Sequence, residues 1–129
     1  MTAGEPAVSP GRILVVDDEP ALGALVRRAL TPLGYEVEVT SQPRMFKQLF
    51  ESRPPTAVII DIVMPETDGI ELIRWIAARS TDVKVIIASG SKSEYAKAAA
   101  LLGAAAGLKS IVSLRKPLSI AELREAVKS

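Results

Sequence analysis

Ile13-Leu14-Val15-Val16-Asp17-Asp18 is a continuous apolar run that stops abruptly on two acids. A strand with one wet face alternates apolar and polar residues. An unbroken run of this kind suits a strand covered on both faces, as in a parallel sheet. The same pattern recurs downstream. Ala57-Val58-Ile59-Ile60 ends at Asp61, and Val83-Lys84-Val85-Ile86-Ile87-Ala88 ends at Ser89-Gly90. Ile111 to Leu114 forms a further strand that ends at Arg115-Lys116-Pro117, and Glu36 to Thr40 alternates as a short one.

The segments between these strands change period. Leu22, Leu25, Val26, Ala29, Leu30 and Leu33 recur at helical spacing, with Pro20 suited to the first turn and Gly34 to the end. Arg44 to Glu51 predicts a second helix that buries Phe46, Leu49 and Phe50, with Met45 also read as core. Met64 to Gly69 reads as a loop, in which Asp68 is placed to cap a third helix over Ile70 to Arg79. Trp75, beside Leu72 and Ile76, reads as partly buried packing. Ser93 to Leu102 predicts an alanine-rich fourth helix, and Ala104-Ala105-Ala106 extends it past Gly103 toward Gly107. Ser119 caps a last helix with Glu122 as its capping-box partner and Ile120, Leu123 and Val127 on the buried face. Strand and helix thus alternate five times. The expected fold is α/β, a doubly wound five-stranded parallel sheet flanked by helices.

Length and composition narrow the function. The 129 residues fit one domain, expected over residues 12–129 after a flexible lead-in at 1–11. The net charge of +1 and the 4% aromatic content argue against direct nucleic-acid binding. No apolar run approaches a membrane span, so no membrane association is expected. The absence of cysteine excludes disulfides and thiolate zinc sites, and fits a cytoplasmic setting. The absence of histidine excludes a Ser-His-Asp triad. The last predicted helix runs to the end of the given chain, so no output domain is expected within it.

Asp17-Asp18, Asp61, Ser89 and Lys116 all fall at the carboxyl end of a buried strand. Ligands of open parallel sheets bind outside those ends. Taken singly, each residue reads as an ordinary turn or cap; their coincidence on one rim points to a site. Three clustered carboxylates repel one another and call for a cation. Oxygen ligands without His or Cys favour Mg2+ over zinc. A carboxylate beside magnesium can attack a phosphoryl group, with the charge met by a lysine and by hydroxyl or backbone donors.

These motifs, Ile13-Leu-Val-Val-Asp-Asp-Glu-Pro20, Asp61-Ile-Val-Met-Pro-Glu-Thr-Asp-Gly69, Ile86-Ile-Ala-Ser-Gly90 and Lys116-Pro117, resemble the receiver domain of two-component response regulators, the CheY-like fold. The resemblance spans about Arg12 to Lys128. It implies that Asp61 accepts phosphate from a sensor histidine kinase or phosphotransfer protein. It implies that Asp17, Asp18, Asp61 and the backbone carbonyl of Val63 hold Mg2+, with Asp17 acting mainly through water. Lys116 would contact the phosphoryl group, before a cis bond to Pro117, and Ser89 would move to meet it. A downstream output domain or target protein, and a homodimer through the fourth helix, fifth strand and fifth helix, are further implied partners. No turnover of a separate metabolite is implied, only self-phosphorylation and self-dephosphorylation.

Two positions and the length of the Gly103 to Lys116 segment, longer than in most receivers, depart from the family pattern. Ser113 stands where the family usually has an aromatic residue, three before the lysine, so the usual inward swing of a ring cannot occur. Tyr95 is the nearest other aromatic and reads as a surface residue. Val63 stands where a polar side chain is common, which is expected to alter the lifetime of the phosphorylated state. Two other classes compete. An Asp-nucleophile phosphatase lacks support because the Asp-x-Asp signature of the haloacid-dehalogenase type is absent. A phosphorylation-independent docking domain is kept open by Ser113 and opposed by the full acidic, hydroxyl and lysine set.

Overall fold

Residues 12 to 16 form β1 (Arg12–Val16), and every one of them is buried, as the apolar run Ile13 to Val16 requires, with the charged Arg12 paired to Glu38. The computed structural model describes residues 10–18, 20–61, 63–64, 67–90 and 94–128; for 63, 64, 67, 68, 94 and 95 it describes the backbone alone. Most of the expected lead-in, residues 1–9, and the expected first residue of the fourth helix, Ser93, lie outside them. The chain continues through α1 (Pro20–Leu30), a 3-10 turn (Thr31–Leu33), β2 (Glu36–Thr40), α2 (Pro43–Ser52) and β3 (Ala57–Asp61). Then come β4 (Val63–Met64), β5 (Thr67–Asp68), α3 (Gly69–Arg79), β6 (Lys84–Ser89), α4 (Glu94–Ala105), β7 (Ser110–Arg115) and α5 (Ile120–Lys128).

Five strands form one sheet in the order β2-β1-β3-β6-β7, and all its pairings are parallel. Side chains alternate across it with the period of two that a strand imposes. Leu14, Val16, Val58, Ile60, Val85 and Ile87 point to one face, where Phe46, Phe50, Leu72, Ile73 and Ile76 of α2 and α3 cover them together with Ala96 and Ala99 of α4. Ile13, Val15, Ala57, Ile59, Ile86 and Ala88 point to the other, under α1 and α5. The sheet is therefore doubly wound, as the alternation predicts.

Several local expectations hold for identifiable reasons. The 3-10 turn after α1 closes on Gly34 at φ +96°, a left-handed geometry that favours glycine. α1 lies so close to β2 that a Cβ on Gly23 would sit 2.5 Å from Val39 Cγ1. α4 runs past Gly103 to Ala105, as its alanines predict. Ser119 Oγ accepts from the Glu122 N–H at 3.0 Å, and Glu122 Oε1 accepts from the Ser119 N–H at 3.2 Å, which completes the capping box. Ser119→Ala is accordingly expected to cost about 1 kcal/mol, read as a lowered urea midpoint at unchanged slope.

Two expectations need correction. The stretch read as a loop contains a two-stranded antiparallel pair, Val63 opposite Asp68 and Met64 opposite Thr67. Met45, read as core, is 42% exposed. The apolar stripe of α2 is centred on Phe46 and Phe50, which are buried, and Met45 falls outside it. Trp75 is partly buried, as expected. It packs edge-on against Phe50 at 5.3 Å and Phe46 at 6.5 Å, while the Arg79 guanidinium covers its ring at 3.7 Å.

Candidate functional site

The strand order places the site. From β1 the chain crosses to β2 on one side and later returns to β3 on the other. Connections leave in opposite directions between β1 and β3, and a cleft opens outside their carboxyl ends. Asp17 directly follows β1, and Asp61 is the last residue of β3. The Asp17 N–H donates to the Thr40 carbonyl at 3.1 Å, so the acid is held in line with the sheet. Both acids are nearly inaccessible, at 3% and 4% exposure, whereas Asp18 is exposed.

Carboxylate oxygens of Asp17, Asp18 and Asp61 all lie within 4.8 Å of one another. Such a cluster is costly unless a cation offsets it. One cation comes from the chain itself. Lys116 follows β7, and its Nζ stands 3.1 Å from Asp61 Oδ2, with the lysine side chain 33% exposed. Its backbone N–H donates to the Ser89 carbonyl at 2.6 Å, and its bond to Pro117 is cis, as expected. Ser89 ends β6 and is buried at 4% exposure; the residue before it, Ala88, pairs in register with Asp61. The five residues singled out from the sequence therefore share one rim. Asp17 has other interactions, but its Oδ2 is buried and accepts no hydrogen bond among the described residues. Hard oxygen donors in this number suit a magnesium ion that keeps part of its water shell.

A family model described as the response regulator receiver domain matches residues 13–128. The chain belongs to this family. The receiver domain is 34% identical over 114 residues to the response regulator MprA of Mycolicibacterium vanbaalenii, covering 88% of this chain and 47% of that protein. It spans about half the length of the curated relatives that it matches over most of its length. A response regulator receiver domain protein from Clostridium thermocellum is 28% identical with a TM-score of 0.75, covering 91% of this chain and 90% of that one. The chemotaxis protein CheY4 of Vibrio cholerae superposes with a TM-score of 0.77, covering 91% and 95%. At 23% identity that likeness bears on the fold alone.

The remaining predicted residues are placed less fully. Val63 lies in β4, two residues beyond Asp61, with its backbone paired to Asp68. Its side chain, that of Tyr95, and the capping side chain of Asp68 lie outside the described residues. Ser113 pairs in register with Ile87 and is exposed on β7. One feature of the receiver domain was not anticipated. A groove of about 390 Å³ runs from Asp17 and Lys116 along α1, lined by Ala21, Leu22, Leu25, Pro117 and Leu118. Leu22 and Leu25 carry a helix-core signal in the sequence, and only the approach of the segment after β7 to α1 turns them into a wall of the site.

Proposed function

We propose that this receiver domain takes a phosphoryl group onto Asp61 from a phosphohistidine on a sensor kinase or phosphotransfer protein, and that the resulting charge switches its surface toward a downstream target. The observation that carries this is the 3.1 Å approach of Lys116 Nζ to Asp61 Oδ2 inside a cluster of three carboxylates. The carboxylate is the nucleophile. The Lys116 ammonium, 3.1 Å from the acceptor, would meet the negative charge that gathers on the phosphoryl oxygens and stabilise the transfer. Ser89, buried on the adjacent strand end, offers a hydroxyl to a phosphoryl oxygen. Family membership and the strand-end placement of each group support the reading.

Asp17, Asp18 and Asp61, with the Val63 carbonyl, would hold magnesium. Bound there, it would neutralise the carboxylates and the entering phosphoryl oxygens. The domain would turn over no separate metabolite; it would make and hydrolyse only its own aspartyl phosphate. Phosphotransfer from a histidine kinase carrying labelled phosphate tests the proposal. Label is expected to pass to wild type and not to Asp61→Asn. Steady hydrolysis of small phosphate esters would instead favour a phosphatase.

Val63 bears on how long the signal lasts. An apolar side chain two residues past the acceptor cannot hydrogen-bond an attacking water. Val63→Asn is expected to change the dephosphorylation rate severalfold, measured by loss of label, and an unchanged rate would discard this role.

A further inference from the structure

Asp61 is 5% exposed in its side chain, and Lys116 beside it is 33% exposed. Lys116 is the more exposed partner of this pair and flanks the acceptor. Lys116 is also one end of the 390 Å³ groove. Among the described residues, the groove's remaining walls are Ala21, Leu22 and Leu25 of α1 and Pro117-Leu118 after β7, all apolar, and its charged residues are Asp17 and Lys116. A space of this size lies within the range of small-ligand sites, roughly 300–1,000 Å³. Its layout matches a molecule with a dianionic head and a short apolar tail.

We propose that the groove seats the acyl chain of a small acyl phosphate, so that donors with a short apolar chain phosphorylate Asp61 faster than acetyl phosphate does. The inference rests on Asp61 being the phosphoryl acceptor. In the step, an Asp61 carboxylate oxygen bonds to phosphorus as the bond between phosphorus and the acyl oxygen breaks. The acyl group leaves as a carboxylate with that electron pair, and no proton transfer is needed. Lys116 meets the phosphoryl oxygens, and the chain lies against Leu25 and Leu118. Burying two further methylenes corresponds to about a tenfold preference, or about 1.4 kcal/mol.

The test is the ratio of phosphorylation rate constants for butyryl phosphate over acetyl phosphate, with magnesium, followed by intact-protein mass. Wild type is expected to give about ten. Ala21→Gln, at an exposed position of α1, and Leu25→Asn each place an amide in the groove and should bring the ratio toward one. Because the ratio compares two donors on the same protein, loss of folded protein cancels from it. A wild-type ratio near one with normal phosphorylation overturns this inference alone, and leaves the groove to a side chain of a protein partner. A wild-type preference that both variants keep also overturns it. No mass gain from either acyl phosphate overturns it too; transfer from a phosphohistidine donor then decides whether Asp61 is an acceptor at all.

Discussion

Lys116→Ala is expected to slow phosphorylation of Asp61 by about a hundredfold or more. Among the described residues, the lysine is a positively charged group that stands against the acceptor, 3.1 Å from Oδ2. Removing a single fixed donor from a charge-developing site commonly costs two to three orders of magnitude, because water must reorganise to replace it. The effect should fall on the rate of transfer more than on the folded state. The lysine is one-third exposed, and a partly solvated ion pair contributes little to stability, about 0–1 kcal/mol. Lys116→Arg is expected to recover only part of the rate, since a planar guanidinium cannot occupy the position of a compact ammonium. The check is the rate of label transfer at saturating magnesium, with circular dichroism to show that the variants stay folded.

Phe46→Ala carries the largest expected cost to stability. Phe46 is fully buried and meets Phe50 at 6.1 Å and Trp75 at 6.5 Å, joining α2 and α3 over one face of the sheet. Truncating a buried phenylalanine costs about 3–5 kcal/mol, made up of lost transfer energy and the cavity left behind. That is a large share of the roughly 5–15 kcal/mol that holds a domain folded. Trp75 is the one tryptophan of the chain, and it packs on the same cluster, so its emission reports the transition directly. The expected result is a fall in Tm of at least about 10 °C. A smaller shift would mean that Phe50 and Trp75 collapse into the space.

The fold was legible because its strands end so sharply. Ile13 to Val16 and Ala57 to Ile60 change from branched apolar residues to acids in one step, and that step marks both the sheet and the rim. Lys116 and Ser89 could be placed for the same reason, each following the last apolar residues of its strand. What was not legible depends on contacts rather than on period. Val63–Met64 and Thr67–Asp68 are strands of two residues, too short for any alternation to show. Met45 reads as core because an apolar residue directly before Phe46 does not reveal which side of the stripe it falls on. The groove beside Lys116 needs α1 and the segment after β7 to meet, and these are far apart in the chain. Ser113 is the one departure whose consequence the placement sharpens. It is exposed on β7 in register with Ile87, so a signal leaving Asp61 must travel without an aromatic ring at that position.

Intact-protein mass spectrometry after incubation with magnesium and acetyl phosphate, followed by peptide mapping, tests whether Asp61 is the phosphoryl acceptor. One phosphoryl group is expected, located on Asp61, lost when magnesium is chelated beforehand and absent in Asp61→Asn. A phosphoryl group that persists in Asp61→Asn, or no transfer from either acetyl phosphate or a phosphorylated kinase, would contradict it.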